Sequence, residues 1–351
     1  MVENLVVEEV MTIGRAEKAS SGQLTEPHSC RLCLTVGLNL KYAGIRDRLA
    51  HSTGTFDFHS CPECESLLVY PLPGANVVAA AYPTTYGVRP PEHGFGLARW
   101  LSGLEWRLLF KSVYASGARS AIRHTHIRAG RVLEIGCSTG YQLIEFAGRG
   151  KFRLEGIDVD GEAISYAKRI LSLSAFQRTL RESEYPSNTF DMVILFNVIE
   201  HLRSPMSEVA EIARILKPGG NLVIKTPTSD GLQSRLFGSR WQALREVPRH
   251  LLLPSRQGMR ALISQVGLLE AGRSSAPMLE NAASIALSIM PTATAHYAFA
   301  SKGGVLRLIV RLLGLVLGLA GSPFALIEGL IGMGGTAIFY AKKPHESCVE
   351  L

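Results

Sequence analysis

Short apolar runs of strand length alternate with helical patterns along the second third of the chain. Such alternation is typical of a parallel sheet with helices on both faces. Two later segments, near 268–273 and at 336–343, also have the character of strands. The earlier predicted strands lie at 131–136, 153–158, 175–180, 190–197 and 221–226, and the predicted helices lie at about 140–149, 161–171 and 205–216. We therefore predict an α/β fold with a doubly wound sheet of seven strands.

The turn after the first of these strands carries candidate chemistry. The segment RVLEIGCSTG places Glu134 before Gly136 and Gly140. In a doubly wound sheet, ligands bind at the carboxyl ends of the strands. Glycines there permit a ligand to approach the backbone, and the following helix N-terminus favours a carboxylate or phosphate. A tight turn without a ligand would give the same pattern.

The end of the second strand supports the ligand interpretation. Asp158, in RLEGIDVD, follows the glycines by about twenty residues and is placed to accept hydrogen bonds from ribose hydroxyls. The alternative is a helix N-cap, a role that Asp160 would fill equally well. A dinucleotide-binding dehydrogenase is disfavoured, because Ser138 and Tyr141 break the G-x-G-x-x-G fingerprint.

Four motifs occur in register: EIGCSTG, GIDVD, FDMVILFNVIEH and LKPGGNLVI. Over residues 131–275 the chain resembles the class I S-adenosylmethionine-dependent methyltransferases. The resemblance implies a Rossmann-like fold with S-adenosyl-L-methionine as cofactor. It also implies a set of cofactor-binding residues. These are Glu134, Gly136, Cys137, Ser138, Gly140, Asp158, Val159, Leu180, Arg181, Asn197 and Val198.

The same resemblance distributes these residues over the cofactor. The residues from Glu134 to Gly140 would hold its amino acid part, with Glu134 binding the charged amine. Asp158 would hold the ribose, and the stretch near Leu180 and Arg181 would border the adenine. Asn197 and Val198 would flank the sulfonium.

Two histidines are candidate general bases for methylation of a hydroxyl, since histidine suits neutral pH. His201 follows Glu200 in VIEHL, where it could equally be a structural residue. His250 lies in a segment that resembles the W…P-x-H element bordering the acceptor pocket in the same superfamily. By that resemblance Trp241 and Arg249 are acceptor-site candidates, and ordinary packing or capping is the alternative.

Four cysteines in HSCRLC and HSCPECE form two C-x-x-C pairs, which can bind one zinc ion through four thiolates. The 27-residue gap between the pairs requires a loop. The residues are Cys30, Cys33, Cys61 and Cys64. A redox role is disfavoured, because neither pair opens a helix in a βαβ unit. The arrangement resembles the N-terminal zinc-binding module of bacterial sugar and polysaccharide methyltransferases, and it implies that Tyr82 and Tyr86 belong to a connector that closes over the cofactor.

The segment 303–335 is unusually apolar, and we predict a helical hairpin in it. One helix would cover about 304–320, and a shorter one would follow a Gly-Ser-Pro turn and end near 332. Glycines on one stripe permit close helix packing, and Arg307 and Arg311 could meet phosphate headgroups. We therefore expect peripheral membrane contact through 304–332, with a buried helical pair or a dimer interface as the alternatives.

Composition adds charge and location. The 37 Lys and Arg exceed the 30 Asp and Glu, for a net charge of +7, but they form no basic block, so we expect no nucleic acid partner. The start, MVENLVVEEV, lacks the features of a signal peptide. We expect a cytoplasmic protein, associated with the inner face of the cytoplasmic membrane. The sequence does not indicate an oligomeric state.

Together these features predict transfer of a methyl group to an oxygen of a sugar, a nucleotide sugar or a lipid-linked glycan. Methylation of a quinone or isoprenoid small molecule is one alternative, and a non-catalytic zinc-ribbon adaptor that senses the cofactor is another. The predicted segments are a tail (1–27), a zinc-binding module (28–70), a connector and helical lid (71–128), a methyltransferase core (129–302), the apolar insert (303–335) and a last strand with its tail (336–351).

Overall fold

Two β-sheets organise the computed structural model, which describes residues 29–48, 52–82, 106, 110–290 and 305–345. The larger sheet has seven strands in the order β10-β11-β8-β7-β4-β5-β6. Strands β4 to β8 are mutually parallel, and β11 runs antiparallel between β8 and β10. The strands are β4 (Ala129–Ile135), β5 (Lys151–Asp158), β6 (Ser174–Gln177), β7 (Phe190–Phe196), β8 (Leu216–Pro227), β10 (Leu269–Ser275) and β11 (Thr336–Lys342). The predicted seven-stranded, doubly wound sheet is confirmed.

Helices cover both faces of this sheet, and each face has its own apolar core. Apolar residues at helical spacing predicted these helices. In α4, the side chain of Asp160 caps the first turn by accepting hydrogen bonds from the amides of Glu162 and Ala163 at 2.9 and 3.0 Å. The helices are α1 (Ala75–Ala80), α2 (Lys111–Thr125), α3 (Tyr141–Ile144), α4 (Gly161–Leu171), α5 (Pro205–Ile215), α6 (Leu232–Phe237), α7 (Arg256–Gln265) and α8 (Met278–Ile289). The helix predicted at 140–149 is only the short α3, followed by turns.

The second sheet has four antiparallel strands in the order β1-β2-β3-β9. The hairpin of β1 and β2 fills the gap between the two cysteine pairs, and β9 comes from the segment between β8 and β10. The cysteine module is therefore completed by the core rather than standing beside it. The strands are β1 (Asn39–Arg46), β2 (Thr55–Ser60), β3 (Leu67–Val69) and β9 (Leu252–Leu253).

The apolar insert is one helix, α9 (Val305–Leu330), and the prediction of a hairpin is wrong. Pro323 lies inside the helix, where it removes the amide that would bond to the carbonyl of Leu319. The hydroxyl of Ser322 donates to that same carbonyl at 2.8 Å, so the carbonyl is still satisfied. Gly321 lies directly against Ile285 of α8, which packs along α9.

In the described part of the chain, one helix is long and apolar enough, by length and composition alone, to cross a membrane. It is the segment Leu312–Leu330 of α9, with a mean hydropathy of 1.7. Contact of this helix with a membrane surface stays a prediction.

Candidate functional site

The loop after β4 is held by the neighbouring strand. The amides of Gly136 and Cys137 donate to the carbonyl of Ile157 at 2.8 and 3.1 Å. Three of the next residues have positive φ: Gly136 at 70°, Ser138 at 47° and Gly140 at 82°. The loop therefore turns sharply at the carboxyl end of β4, as the glycine pattern predicts.

The reason for the glycines differs from the expected one. A Cβ on Gly136 would lie 2.5 Å from Cγ2 of Val198, and one on Gly140 would clash with the side chain of Leu173. The space beside both glycines is thus occupied by the chain's own side chains and not left for a ligand. Positive φ and close packing require glycine here, and cofactor binding through the loop backbone stays a prediction.

Asp158 lies at the end of β5, beside this loop. Its carboxylate accepts a hydrogen bond from the Ser138 amide at 2.7 Å and one from the Asp160 amide at 2.9 Å. Asp160, and not Asp158, caps α4. Burial raises the pKa of Asp158, and the two amides act in the opposite direction. Asp158 therefore orients the loop and presents a buried carboxylate at the predicted ribose position.

Glu134 is a buried carboxyl group one residue before the end of β4. Burial raises its pKa well above the ordinary range, repulsion from Asp158 adds to this, and Lys225 opposes it. Among the described residues, its Oε2 has no hydrogen-bond partner. A cationic ligand with N–H donors would satisfy this oxygen and relieve the burial of charge. The charged amine of S-adenosylmethionine fits that requirement.

The remaining predicted cofactor residues lie at the carboxyl ends of β5, β6 and β7. Val159 is 55% exposed, which leaves an apolar side chain open beside Asp158. Leu180 is buried and Arg181 is exposed after β6. Asn197 has a φ of 56° and follows β7, and Val198 packs on Gly136.

Cys137 is buried between β4 and β5. Burial raises the pKa of its thiol, and the nearby Glu134 and Asp158 carboxyl groups add to the effect. A Cβ on Gly156 would lie 2.6 Å from its sulfur. Cys137 is accordingly a packing residue with a protonated thiol, and its predicted contact with the cofactor stays a prediction.

The two candidate histidines lie together. The ring centroids of His201 and His250 are 4.9 Å apart. Burial and the nearby His250 lower the pKa of His201 to about 3, and burial lowers that of His250. Both rings are therefore neutral at pH 7. Tyr82, a predicted lid residue, places its hydroxyl 3.1 Å from Nδ1 of His201, whereas Tyr86 lies outside the described residues.

Glu200 adjoins His201 and forms part of the same cluster, although it is not among the site residues predicted from the sequence. It is fully buried, and this burial raises its pKa to about 8. Its Oε2 accepts a hydrogen bond from the Thr226 hydroxyl at 3.0 Å. The signal for it was its position in VIEHL, where a carboxylate and a histidine leave a buried strand together.

Trp241 and Arg249 face the interior. Trp241 is 1% exposed and packs in the core beneath the smaller sheet. Arg249 is fully buried, and its guanidinium forms ion pairs with Asp47 at 2.9 Å and Glu246 at 3.2 Å. These contacts stabilise the fold, and the predicted roles of both residues at the acceptor site stay predictions.

The four cysteines of the N-terminal pairs lie in one cluster, with all sulfurs within 4.8 Å of one another. The Cys30 and Cys64 sulfurs are 3.6 Å apart, and the Cys33 and Cys61 sulfurs are 3.5 Å apart. Four sulfurs about 2.3 Å from a tetrahedral zinc ion would lie about 3.8 Å from one another. The Cys30 thiol donates to Cys64, which lowers the pKa of Cys64 to about 5. The cluster has the dimensions of a zinc site.

The two cysteine pairs have the same backbone shape. The residue after each pair, Leu34 and Glu65, has a positive φ of 66° and 59°. Its amide donates to the carbonyl of the first cysteine, at 2.9 Å in the first pair and 3.0 Å in the second. This repeated turn directs both sulfurs of each pair to one point.

Comparison with known proteins agrees with this fold. Residues 111–269 match a family model described as a methyltransferase domain. A tRNA U34 carboxymethyltransferase of Geobacter sp. (strain M21) is 26% identical over 199 residues, which cover 52% of this chain and 55% of that protein. Other relatives carry the same name. The chain spans about half the length of these curated relatives.

Two further proteins are also similar to parts of this chain. A phosphatidylethanolamine N-methyltransferase of Cereibacter sphaeroides is 31% identical over 122 residues, which cover 33% of this chain and 59% of that protein. The solved structure of a putative sarcosine dimethylglycine methyltransferase from Galdieria sulphuraria is 15% identical, with a TM-score of 0.46 over 66% of this chain and 85% of that one.

These relatives correct two expectations. The predicted acceptors, a sugar, a nucleotide sugar or a lipid-linked glycan, are wrong, because the relatives that match about half of the chain are named tRNA U34 carboxymethyltransferase. The expected absence of a nucleic acid partner is wrong for the same reason. The charge criterion failed because it required contiguous basic blocks, whereas basic residues scattered in sequence can meet on a folded surface.

The fold of the large sheet does not depend on which acceptor the protein uses. The five parallel strands β4 to β8, the turn after β4 and the carboxylate at the end of β5 all lie within the segment that the family model matches. Residues 111–269 are therefore similar to a methyltransferase domain in sequence, and the sheet around them has the Rossmann-like methyltransferase fold.

Proposed function

We propose that this chain transfers a methyl or carboxymethyl group from a sulfonium cofactor of the S-adenosylmethionine type to RNA, with tRNA as the first candidate. The observation that carries the proposal is the agreement between the methyltransferase domain and relatives named tRNA U34 carboxymethyltransferase. The expected transfer to an oxygen atom stays a prediction within this proposal, as does a cytoplasmic location, where tRNA is available.

In this proposal, the cofactor supplies an activated group on a sulfonium, and the protein positions it. Glu134 binds the charged amine through its unpaired Oε2. Asp158 binds the ribose, and Val159, Leu180 and Arg181 border the adenine. Asn197 and Val198 flank the sulfonium. Because the leaving group is strongly activated, the main contribution of these residues is near-attack geometry, which can supply several kcal/mol.

A polar groove at the same edge of the sheet supports an RNA acceptor. It lies between the second cysteine pair and the segment that follows β8, so it is close to the carboxyl ends of the parallel strands. Lys41 and Arg235 are exposed basic residues on its rim. RNA affinity depends on such phosphate contacts. The groove is lined by Lys41, Ser60, Cys61, Pro62, Glu65, Ser229, Asp230 and Arg235.

We also propose that Cys30, Cys33, Cys61 and Cys64 hold one structural zinc ion. All four ligands are cysteines, which is typical of closed structural sites. The ion would join the two cysteine turns and so stabilise the sheet that β9 completes. Serine and backbone contacts support the cluster from the core: Ser255 donates to the carbonyl of Cys64, and Arg31 donates to that of Leu251 at 2.6 Å.

The function is tested by incubating the full chain with S-adenosylmethionine labelled in the methyl group and with total RNA, lipid and saccharide fractions. We expect label in RNA that is released by nuclease, with the modified nucleoside identified by mass spectrometry. A parallel reaction with a carboxymethyl sulfonium donor separates the two transferred groups. Label confined to lipid or saccharide would contradict the proposal, as would failure of the folded protein to bind either donor in calorimetry.

A further inference from the structure

A second cluster of metal-binding side chains lies away from the four cysteines. One donor atom from each of Glu200, His201 and His250 lies within 4.8 Å of a donor atom of the other two. Glu200 and His201 form a 3-10 turn directly after β7, and His250 precedes β9. We propose that these three side chains bind one divalent transition-metal ion, such as Mn²⁺, Fe²⁺ or Co²⁺, at the carboxyl edge of the large sheet.

The histidine rings are oriented as metal ligands require. Nδ1 of His201 lies 2.9 Å from the carbonyl oxygen of Arg249, and Nδ1 of His250 lies 2.7 Å from that of Ala243. A carbonyl can only accept, so in each ring Nδ1 carries the proton and donates it. The other ring nitrogen, Nε2, then has a free lone pair. Metal-binding histidines commonly have this outer hydrogen bond to a backbone carbonyl.

Glu200 supplies the negative charge. It is fully buried, and its Oε1 has no hydrogen-bond partner among the described residues. A buried carboxylate with one unsatisfied oxygen is costly unless a cation or donor compensates it. The Thr226 hydroxyl holds the other oxygen at 3.0 Å and so fixes the carboxylate plane. A metal ion between Glu200 and the two rings would satisfy Oε1.

The ligand set determines which ion fits. Two imidazoles and one carboxylate are nitrogen and oxygen ligands, and such sets are typical of open sites that keep positions for water or substrate. The cysteine cluster has four soft thiolates and is closed. Asn197 and Val198 precede Glu200 by three and two residues, so the proposed metal site directly follows the proposed sulfonium site along the chain.

The two sites can be separated by choice of ion. Manganese(II) prefers nitrogen and oxygen ligands and competes poorly with zinc for thiolates. The full chain is first loaded with one equivalent of Zn²⁺ to fill the cysteine cluster and is then titrated with Mn²⁺, followed by electron paramagnetic resonance. We expect one bound Mn²⁺ per chain, with nitrogen hyperfine coupling from the histidines.

Three variants localise the ion. Glu200→Gln and His250→Ala are each expected to raise the Mn²⁺ dissociation constant at least tenfold. His345→Ala is the matched control, because His345 is exposed beyond β11, and it should bind Mn²⁺ as the wild type does. Circular dichroism shows that each variant is folded before it is compared.

The proposal is overturned if the zinc-loaded wild type binds no Mn²⁺, or if the bound ion lacks nitrogen coupling. It is also overturned if Glu200→Gln binds Mn²⁺ unchanged, which would mean that Glu200 is a protonated structural residue. The wild-type spectrum decides the matter even if a variant does not fold. Because the readout is metal binding alone, its outcome is independent of the proposed reaction and its acceptor.

Discussion

At the residue scale, the proposed cofactor site depends on two carboxyl groups that the fold buries near each other. Glu134 and Asp158 lie at the carboxyl ends of the adjacent strands β4 and β5, and burial raises the pKa of both. Repulsion from Asp158 raises the pKa of Glu134 further. A cationic cofactor with an amine and hydroxyl donors relieves both costs at once. The affinity for the cofactor is therefore partly stored in the unliganded protein as unfavourable burial.

Asp158→Asn tests the ribose contact. The substitution removes the negative charge of the carboxylate, which accepts a hydrogen bond from the Ser138 amide and, in our proposal, hydrogen bonds from the ribose hydroxyls. Because a hydrogen bond to a charged group contributes about 1.5–3 kcal/mol, we expect cofactor affinity to fall by roughly tenfold to a hundredfold. Calorimetric titration with S-adenosylmethionine measures it. Asp160→Asn is the control, since that side chain caps α4 and should leave cofactor affinity unchanged.

Glu328 of α9 gives the protein a pH-dependent stability. Burial raises its pKa from 4.5 to about 7 in the folded protein. Between these two values the folded state holds a proton that the unfolded state has released. The free energy of unfolding therefore falls as pH rises from about 4.5 to 7.

Glu328→Gln should remove this loss. We expect the free energy of unfolding of the variant, relative to that of the wild type, to be roughly 1–3 kcal/mol larger at pH 8 than at pH 5. Urea unfolding at both pH values measures it. Leu326→Gln, on the same helix and half exposed, is the control, because neither residue titrates and its effect should be the same at both pH values. An equal effect of pH on wild type and Glu328→Gln would show that Glu328 ionises alike in both states.

The sequence predicted the positions of these residues better than their surroundings. Glycines at 136 and 140 indicated a sharp turn, and the turn is present. Their neighbours, Val198 and Leu173, come from distant segments, and local spacing says nothing about which side chain fills the space. The same limit applies to Arg249, whose partner Asp47 is some two hundred residues earlier in the chain.

At the scale of elements, the cysteine cluster links two parts of the chain. β3 pairs with β9, and Gly258 of α7 packs against Ser66 and Cys64. Loss of the proposed zinc ion should therefore destabilise α7 and β9 as well as the N-terminal turns.

Zinc removal tests this coupling. We expect chelation or Cys61→Ser to lower the thermal midpoint of the whole protein in one transition. The free energy of unfolding should fall by several kcal/mol, since structural zinc contributes on the order of 10 kcal/mol of binding free energy. Zinc content by mass spectrometry and calorimetric unfolding measure the two effects. Cys137 is a buried cysteine outside the cluster, so the Cys137→Ser variant should bind as much zinc as the wild type.

Two glycines in helices offer a matched pair. A Cβ on Gly258 would meet the Ser66 hydroxyl closer than van der Waals contact allows, and Cys64 Sγ lies 3.3 Å away. Gly258→Ala should therefore destabilise by about 1–3 kcal/mol despite the better helix propensity of alanine. At Gly314 the nearest atom is Met290 Sδ at 3.7 Å, an ordinary contact. Gly314→Ala should stabilise by up to about 1 kcal/mol in denaturant unfolding.

Failure of the predicted hairpin has a local cause. Gly-Ser-Pro is a common turn sequence, but here Gly321 is needed to admit Ile285 of the neighbouring helix, and Ser322 satisfies the carbonyl that Pro323 leaves free. Periodicity predicted the strands of the large sheet because each is a buried apolar run. It could not predict the two-residue β9, whose pairing depends on a partner far away in the sequence.

At the scale of the whole molecule, the proposed cofactor site, the Glu200 cluster and the polar groove all lie at the carboxyl edge of the large sheet. The opposite edge carries the starts of the parallel strands, with Arg128 and Lys151 exposed there. This polarity follows from the parallel sheet, because the loops that lead from the parallel strands to the following helices all lie at the carboxyl edge. An RNA acceptor should consequently approach from the side of Lys41 and Arg235.

That polarity makes a charge-reversal experiment decisive. Lys41→Glu with Arg235→Glu removes two phosphate contacts in our proposal, so RNA affinity should fall and the slope of log affinity against log salt should become shallower by about 1.4–1.8. Arg128→Glu with Lys151→Glu makes the same change in net charge at the opposite edge. Filter binding of tRNA at several KCl concentrations measures both. If the two double variants lose affinity equally, RNA is attracted only by the net charge of +7, and the groove has no part in orienting it.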